Sequence, residues 1–82
     1  MARQLILYTT LGCTLCEKAK PEIWPVLEVF GLRLKQVDIA EDEGLMARFA
    51  TSIPVVGLGD PTDVCVWPFD QAQLADWLSA RL

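Results

Sequence analysis

A chain of 82 residues, 52% of them apolar, can bury one modest hydrophobic core and is too short to divide, so residues 1–82 are read as a single domain. A net charge of −4, with seven Lys and Arg scattered and no basic run, argues against nucleic acid and anionic membrane as partners. The longest early apolar run, Leu5 to Tyr8, is too short for a membrane span or the core of a secretion signal. That points to the cytoplasm, where close cysteines more often do catalysis or bind metal than cross-link the chain.

Gln4 to Thr9 is almost continuously apolar and β-prone, which suits a central strand covered on both faces. Cys16, Ala19, Ile23, Val26, Leu27 and Phe30 then recur at helical spacing, predicting a helix from about Thr14 to Phe30 that Gly31 ends in the left-handed conformation. Pro21 and Pro25 fall inside it, and each removes a backbone donor, so the helix is expected to be kinked or in two pieces. Arg33 to Ile39 reads as a second strand, completing a βαβ unit. A short helix follows, capped by Asp42, with Glu43 at its positive end and Leu45, Met46 and Phe49 on one face. Val55 to Leu58 and Val64 to Trp67 flank a Gly-Asp-Pro-Thr turn and predict a hairpin. The last helix is marked by Asp70 and Gln73 spaced as a capping box, Phe69 and Leu74 as a hydrophobic staple, and a stripe of Leu74, Trp77 and Leu78. The order is β-α-β-α-β-β-α, with no repeat, linker or low-complexity segment.

The chemistry concentrates in "TTLGCTLCEKAKP", Thr9 to Pro21, where Cys13 and Cys16 lie at the junction of the first strand and helix. Cys13 falls at the helix start, beside unpaired N–H groups and the positive end of the dipole, which favour the reactive thiolate. Cys16 lies one turn inside, placed to be more buried and to attack a mixed disulfide formed at Cys13. Glu17, beside it, disfavours ionisation of that second thiol. A C-x-x-C in a small βαβ unit leaves three readings: a redox pair, two metal ligands, or packing. The chain has no His, which removes the usual partner of a cysteine protease and the commonest nitrogen ligand of zinc.

With Pro21 five residues after the second cysteine and Ile53-Pro54 opening the third strand, the chain resembles the thioredoxin superfamily, and within it the small bacterial glutaredoxin-like proteins with a C-x-L-C motif. "YTTLGCTLC" is similar to that family's active-site stretch and "SIPVV" to the segment carrying its cis-proline. The resemblance covers essentially the whole chain. It implies an α/β thioredoxin-like fold, a four-stranded mixed sheet with helices on both faces, and a thiol-disulfide oxidoreductase. Cys13 would be the nucleophile and Cys16 the resolving thiol. Pro54 would be a cis-proline facing them, with the Ile53 backbone free to pair with an extended substrate. Substrate contacts are expected from Thr10, Leu11, Ile53 and Pro54. The implied partner is a disulfide-containing protein or a small thiol, acting on a monomer, with no tightly bound cofactor and with glutathione as candidate reductant or co-substrate. Many glutaredoxins carry lysine at the position of Thr10, proline at that of Leu11, and Gly-Gly-Asp before the last helix, where this chain has Trp67-Pro68-Phe69-Asp70. Those groups hold glutathione carboxylates, so weak use of glutathione is expected.

Two other readings stand beside this one: a binding module whose disulfide only staples the helix start, and a metal or iron-sulfur site built on the cysteine pair. Cys65, between two valines, reads as a small buried apolar residue. Trp24, Trp67 and Trp77 read as packing residues, and Lys18 and Lys20 as the solvated face of the first helix.

Overall fold

Leu5 and Leu7 lie on one face of strand β1 (Arg3–Thr9), while Ile6 and Tyr8 lie on the other, so this strand needs cover on both sides. The computed structural model describes residues 3–82. After β1 come α1 (Thr14–Phe30), β2 (Leu32–Asp38), one 3-10 turn (Ile39–Glu41), α2 (Glu43–Phe49), β3 (Val55–Gly57), β4 (Val64–Val66) and α3 (Gln71–Ser79). The sheet order is β2-β1-β3-β4. β1 runs parallel to β2, with Arg3 opposite Leu32 and Thr9 opposite Asp38, and β3 and β4 join antiparallel. The expected mixed four-stranded sheet with helices on both faces forms.

Helices α1 and α3 cover the Leu5 and Leu7 face through Ala19, Ile23, Val26, Leu27, Leu74 and Leu78. α2 and the 3-10 turn cover the other, where Phe49 and Ile39 pack with Tyr8 and Val55; the Tyr8 and Phe49 ring centroids are 4.8 Å apart. Burial of these side chains, each contributing about 1.5–3 kcal/mol, fixes β1 rigidly beneath the loop that follows it.

α1 runs unbroken from Thr14 to Phe30, so the expected break into two pieces does not occur. Glu17, Pro21 and Pro25 are four residues apart and lie on one stripe, exposed or half-buried. The carbonyls of Glu17 and Pro21 that lose their donors therefore face water, which can replace the missing bonds. Gly31 ends the helix at φ 65°, its N–H donating to Leu27 O. Its left-handed conformation is the expected one. In α3 the capping box is complete: Gln73 N–H donates to Asp70 Oδ1 at 2.8 Å and Asp70 N–H to Gln73 Oε1 at 3.0 Å. Phe69 and Leu74, the staple pair, are both buried.

Two expectations fail on packing. Met46 does not join Leu45 and Phe49 in the core but is exposed, and Trp24 is 48% exposed, unlike Trp67 and Trp77, which pack against the core. Ile39 leaves β2 for the 3-10 turn because Asp38 Oδ1 accepts the Ala40 N–H at 2.9 Å and turns the chain there. The peptide bonds Ile53-Pro54 and Trp67-Pro68 are both cis, the first as the resemblance implied.

Candidate active site

Cys13 caps α1. Its backbone is extended, at φ −76° and ψ 104°, and its Sγ accepts the Cys16 N–H at 3.1 Å, in the position that a serine or aspartate oxygen takes at most helix starts. Its own N–H donates to Thr10 O at 3.3 Å, closing the loop in which Gly12 stands at φ 80°, a conformation that suits glycine. The two sulfurs lie at disulfide distance, with Cα atoms 5.3 Å apart. They are not equivalent. Cys13 is half-buried, whereas Cys16 is 2% exposed and enclosed under the helix.

Cys13 opens on a groove of about 460 Å³ between the Thr9–Thr14 loop, Glu17 and Lys20 of α1, and Gln36 and Asp38 of β2. Thr10 and Leu11 are part of its wall, and Leu11 is 95% exposed. Lys20, read from the sequence as merely solvated, also lines it, with Nζ 3.1 Å from Glu17 Oε1. Gln36 and Asp38 carried no sequence signal of their own. The parallel register, which sets Asp38 beside Thr9 at the carboxyl end of the strands, is what places them there.

Ile53 and Pro54 do not line this groove. Pro54 is fully buried, its carbonyl accepting the Trp67 N–H at 3.1 Å, and the Ile53 N–H donates to Phe49 O at 3.2 Å. The Ile53 N–H is thus already engaged, so the expected free backbone at Ile53 is not fully free. Cys65 faces Val56 across the β3–β4 ladder and packs against the core, and burial pushes its thiol pKa up against a smaller opposing pull from Arg81. Among the described residues, no three of His, Cys, Asp or Glu come together to hold a metal ion.

The profile of the family described as "Glutaredoxin-like domain (DUF836)" matches residues 4–79. The chain belongs to that family. As a glutaredoxin-like domain it is similar to the solution structure of XcR50 from X. campestris, at 31% identity and a TM-score of 0.71, over 100% of this chain and 97% of that one. Two more distant likenesses bear on the fold alone. Protein Ne2328 from Nitrosomonas europaea has 19% identity and a TM-score of 0.71, over 94% of this chain and 92% of that one. Thioredoxin 1 from Thermosipho africanus TCF52B has 15% identity and a TM-score of 0.66, over 94% of this chain and 91% of that one. No curated protein matches the chain in sequence. The glutaredoxin-like domain thus has a thioredoxin-like fold, with a cysteine pair where β1 meets α1.

Proposed function

We propose that this glutaredoxin-like domain is a thiol-disulfide oxidoreductase, with Cys13 as nucleophile and Cys16 as resolving thiol. The observation that carries the reading is the asymmetry of the pair: Cys13 borders the groove and accepts a helix N–H, and Cys16 is enclosed behind it. In the reduced protein the Cys13 thiolate attacks one sulfur of a substrate disulfide, forms a mixed disulfide and expels one thiol. Cys16, as its thiolate, then attacks Cys13 Sγ, expels the second thiol and closes the Cys13–Cys16 disulfide. Two electrons leave the protein. External thiols, glutathione or a dithiol, return them.

Thr10 and Leu11, in the groove wall, are the substrate contacts nearest Cys13, whereas the enclosed Pro54 and the engaged Ile53 N–H leave that segment a supporting role. The substrate is a disulfide-containing protein or a low-molecular-weight disulfide, met by a cytoplasmic monomer that needs no tightly bound cofactor. Titrating the pair in glutathione and in dithiol buffers, with alkylation and mass spectrometry, tests the reading. A disulfide that interconverts in both is expected. A pair that resists mild reduction would leave a binding module, and iron or zinc in the purified protein by elemental analysis would move the pair to metal binding.

A further inference from the structure

The walls of the groove beside Cys13 carry three charged side chains: Glu17, Asp38 and Lys20. Lys20 is held by Glu17 at 3.1 Å, so the cation is largely spoken for. Asp38 spends one oxygen on the Ala40 N–H, at 2.9 Å, and keeps the other. Two anions against one paired cation leave the groove with a net charge of −1, inside a chain of net charge −4. Leu11, in the groove wall, is 95% exposed and makes an apolar lip beside Cys13. Glutathione brings two carboxylates and one ammonium to this groove. A polypeptide cysteine with a basic neighbour brings a cation to Asp38 and main chain to the lip.

We infer that the groove selects oxidised polypeptide cysteines with a basic side chain beside them over glutathione disulfide, and that Asp38 is a specificity-determining residue. This rests on the proposed oxidoreductase reading and names its substrate class. Complementary charge should act on the encounter and on the mixed disulfide alike, and both effects are screened by salt. The electron balance is unchanged: the reduced Cys13–Cys16 dithiol gives two electrons to the peptide disulfide, which leaves as two thiols.

The test is a single-turnover reaction of the pre-reduced protein with disulfide-linked peptide dimers, their cysteine flanked by Lys, Gln or Glu, and with glutathione disulfide. Each rate is divided by that of uncharged dithiothreitol on the same compound, which cancels the effect of flanking charge on the leaving thiol. At low ionic strength the Lys peptide should react about three- to fivefold faster than the Glu peptide and than glutathione disulfide, the gain expected of a partly exposed ion pair. The preference should shrink in high salt. Asp38→Asn keeps an oxygen for the Ala40 N–H and should lower the Lys-to-Glu ratio towards one, while Lys20→Gln, which leaves both anions unopposed, should raise it. Equal corrected rates, a preference for glutathione disulfide, or variants that leave the ratio unmoved would overturn the selectivity with the redox reading intact. Failure of the reduced wild type to react with any of the four disulfides would overturn both.

Discussion

The main-chain N–H of Cys16 donates to Cys13 Sγ at 3.1 Å. One of the orphan donors at the start of α1 therefore points at the sulfur that carries charge in the proposed mechanism, and the donor belongs to the backbone of the residue proposed as the resolving thiol. Replacing the Cys16 side chain leaves that hydrogen bond available. Cys16→Ser should accordingly keep a reactive Cys13 and trap substrate as a stable mixed disulfide, whereas Cys13→Ser should trap nothing. In the reduced wild type, alkylation of Cys13 should persist well below the ordinary thiol pKa of about 8.5. Mass spectrometry of labelled peptides at a series of pH values reads both results, and faster labelling of Cys16 would exchange the roles.

The third cysteine supplies an internal control. Burial holds Cys65 as the neutral thiol, with its pKa raised, and the strand ladder faces it with Val56. Because the thiolate is the species that reacts, Cys65 should stay reduced while Cys13 and Cys16 cycle, and its labelling should begin only at alkaline pH. The pair itself should equilibrate within the glutaredoxin-to-thioredoxin range, about −200 to −270 mV. A peptide map after mild oxidation, showing Cys65 linked to either partner, would be the contrary outcome.

Far from the groove, Arg81 ties the C-terminal end to the hairpin turn. Its Nε donates to Asp63 Oδ2 at 2.8 Å and its Nη2 to Asp63 Oδ1 at 2.7 Å, while its guanidinium lies 4.1 Å from the Trp77 ring centroid. The Arg81 hydrogen bonds lower the Asp63 pKa. A carboxyl depressed in the folded state adds stability above its unfolded pKa, and that addition is lost as pH falls through the folded value. Asp63→Asn should therefore be slightly less stable than wild type at neutral pH, and the gap should close in acid below the usual Asp range of about 3.9. Urea unfolding at the two pH values measures it. A gap that widens in acid would show the pair to be without this role.

Much of this fold was legible because the signals are local. The apolar run of β1, the Asp70–Gln73 box and the Gly31 stop each involve residues within a few positions of one another, and each forms as the local sequence dictates. Met46 was misread because helical periodicity gives the apolar side of a helix and not how wide its partner is, and Trp24 because the usual burial of tryptophan says nothing of its place on the helix. In the short α2, Leu45 and Phe49 at i and i+4 already fill the available face. The cysteine pair announced itself by spacing, but the groove did not. Gln36 and Asp38 reach Cys13 only through the parallel β1–β2 register, more than twenty residues along the chain, and nothing local marks either of them.

Thr10 lies in the groove wall, where the expected weak use of glutathione can be tested. Many glutaredoxins have a lysine at this position, and Thr10 lies in the groove wall beside Cys13, where a lysine would add a cation facing Glu17 and Asp38. That cation would bring the net charge of the lining from −1 to zero, pair with a glutathione carboxylate and favour the Cys13 thiolate. Wild type should therefore turn over a glutathionylated peptide weakly, and Thr10→Lys should improve it by about two- to fivefold at low salt, as for a partly exposed ion pair. The gain should fade as the Debye length shortens to about 10 Å at 0.1 M and below that in stronger salt. Steady-state turnover of the same peptide by both proteins across ionic strength checks this. If wild type already turns over the peptide as an ordinary glutaredoxin does, or the lysine adds nothing at low salt, then glutathione is held by groups other than those around Thr10.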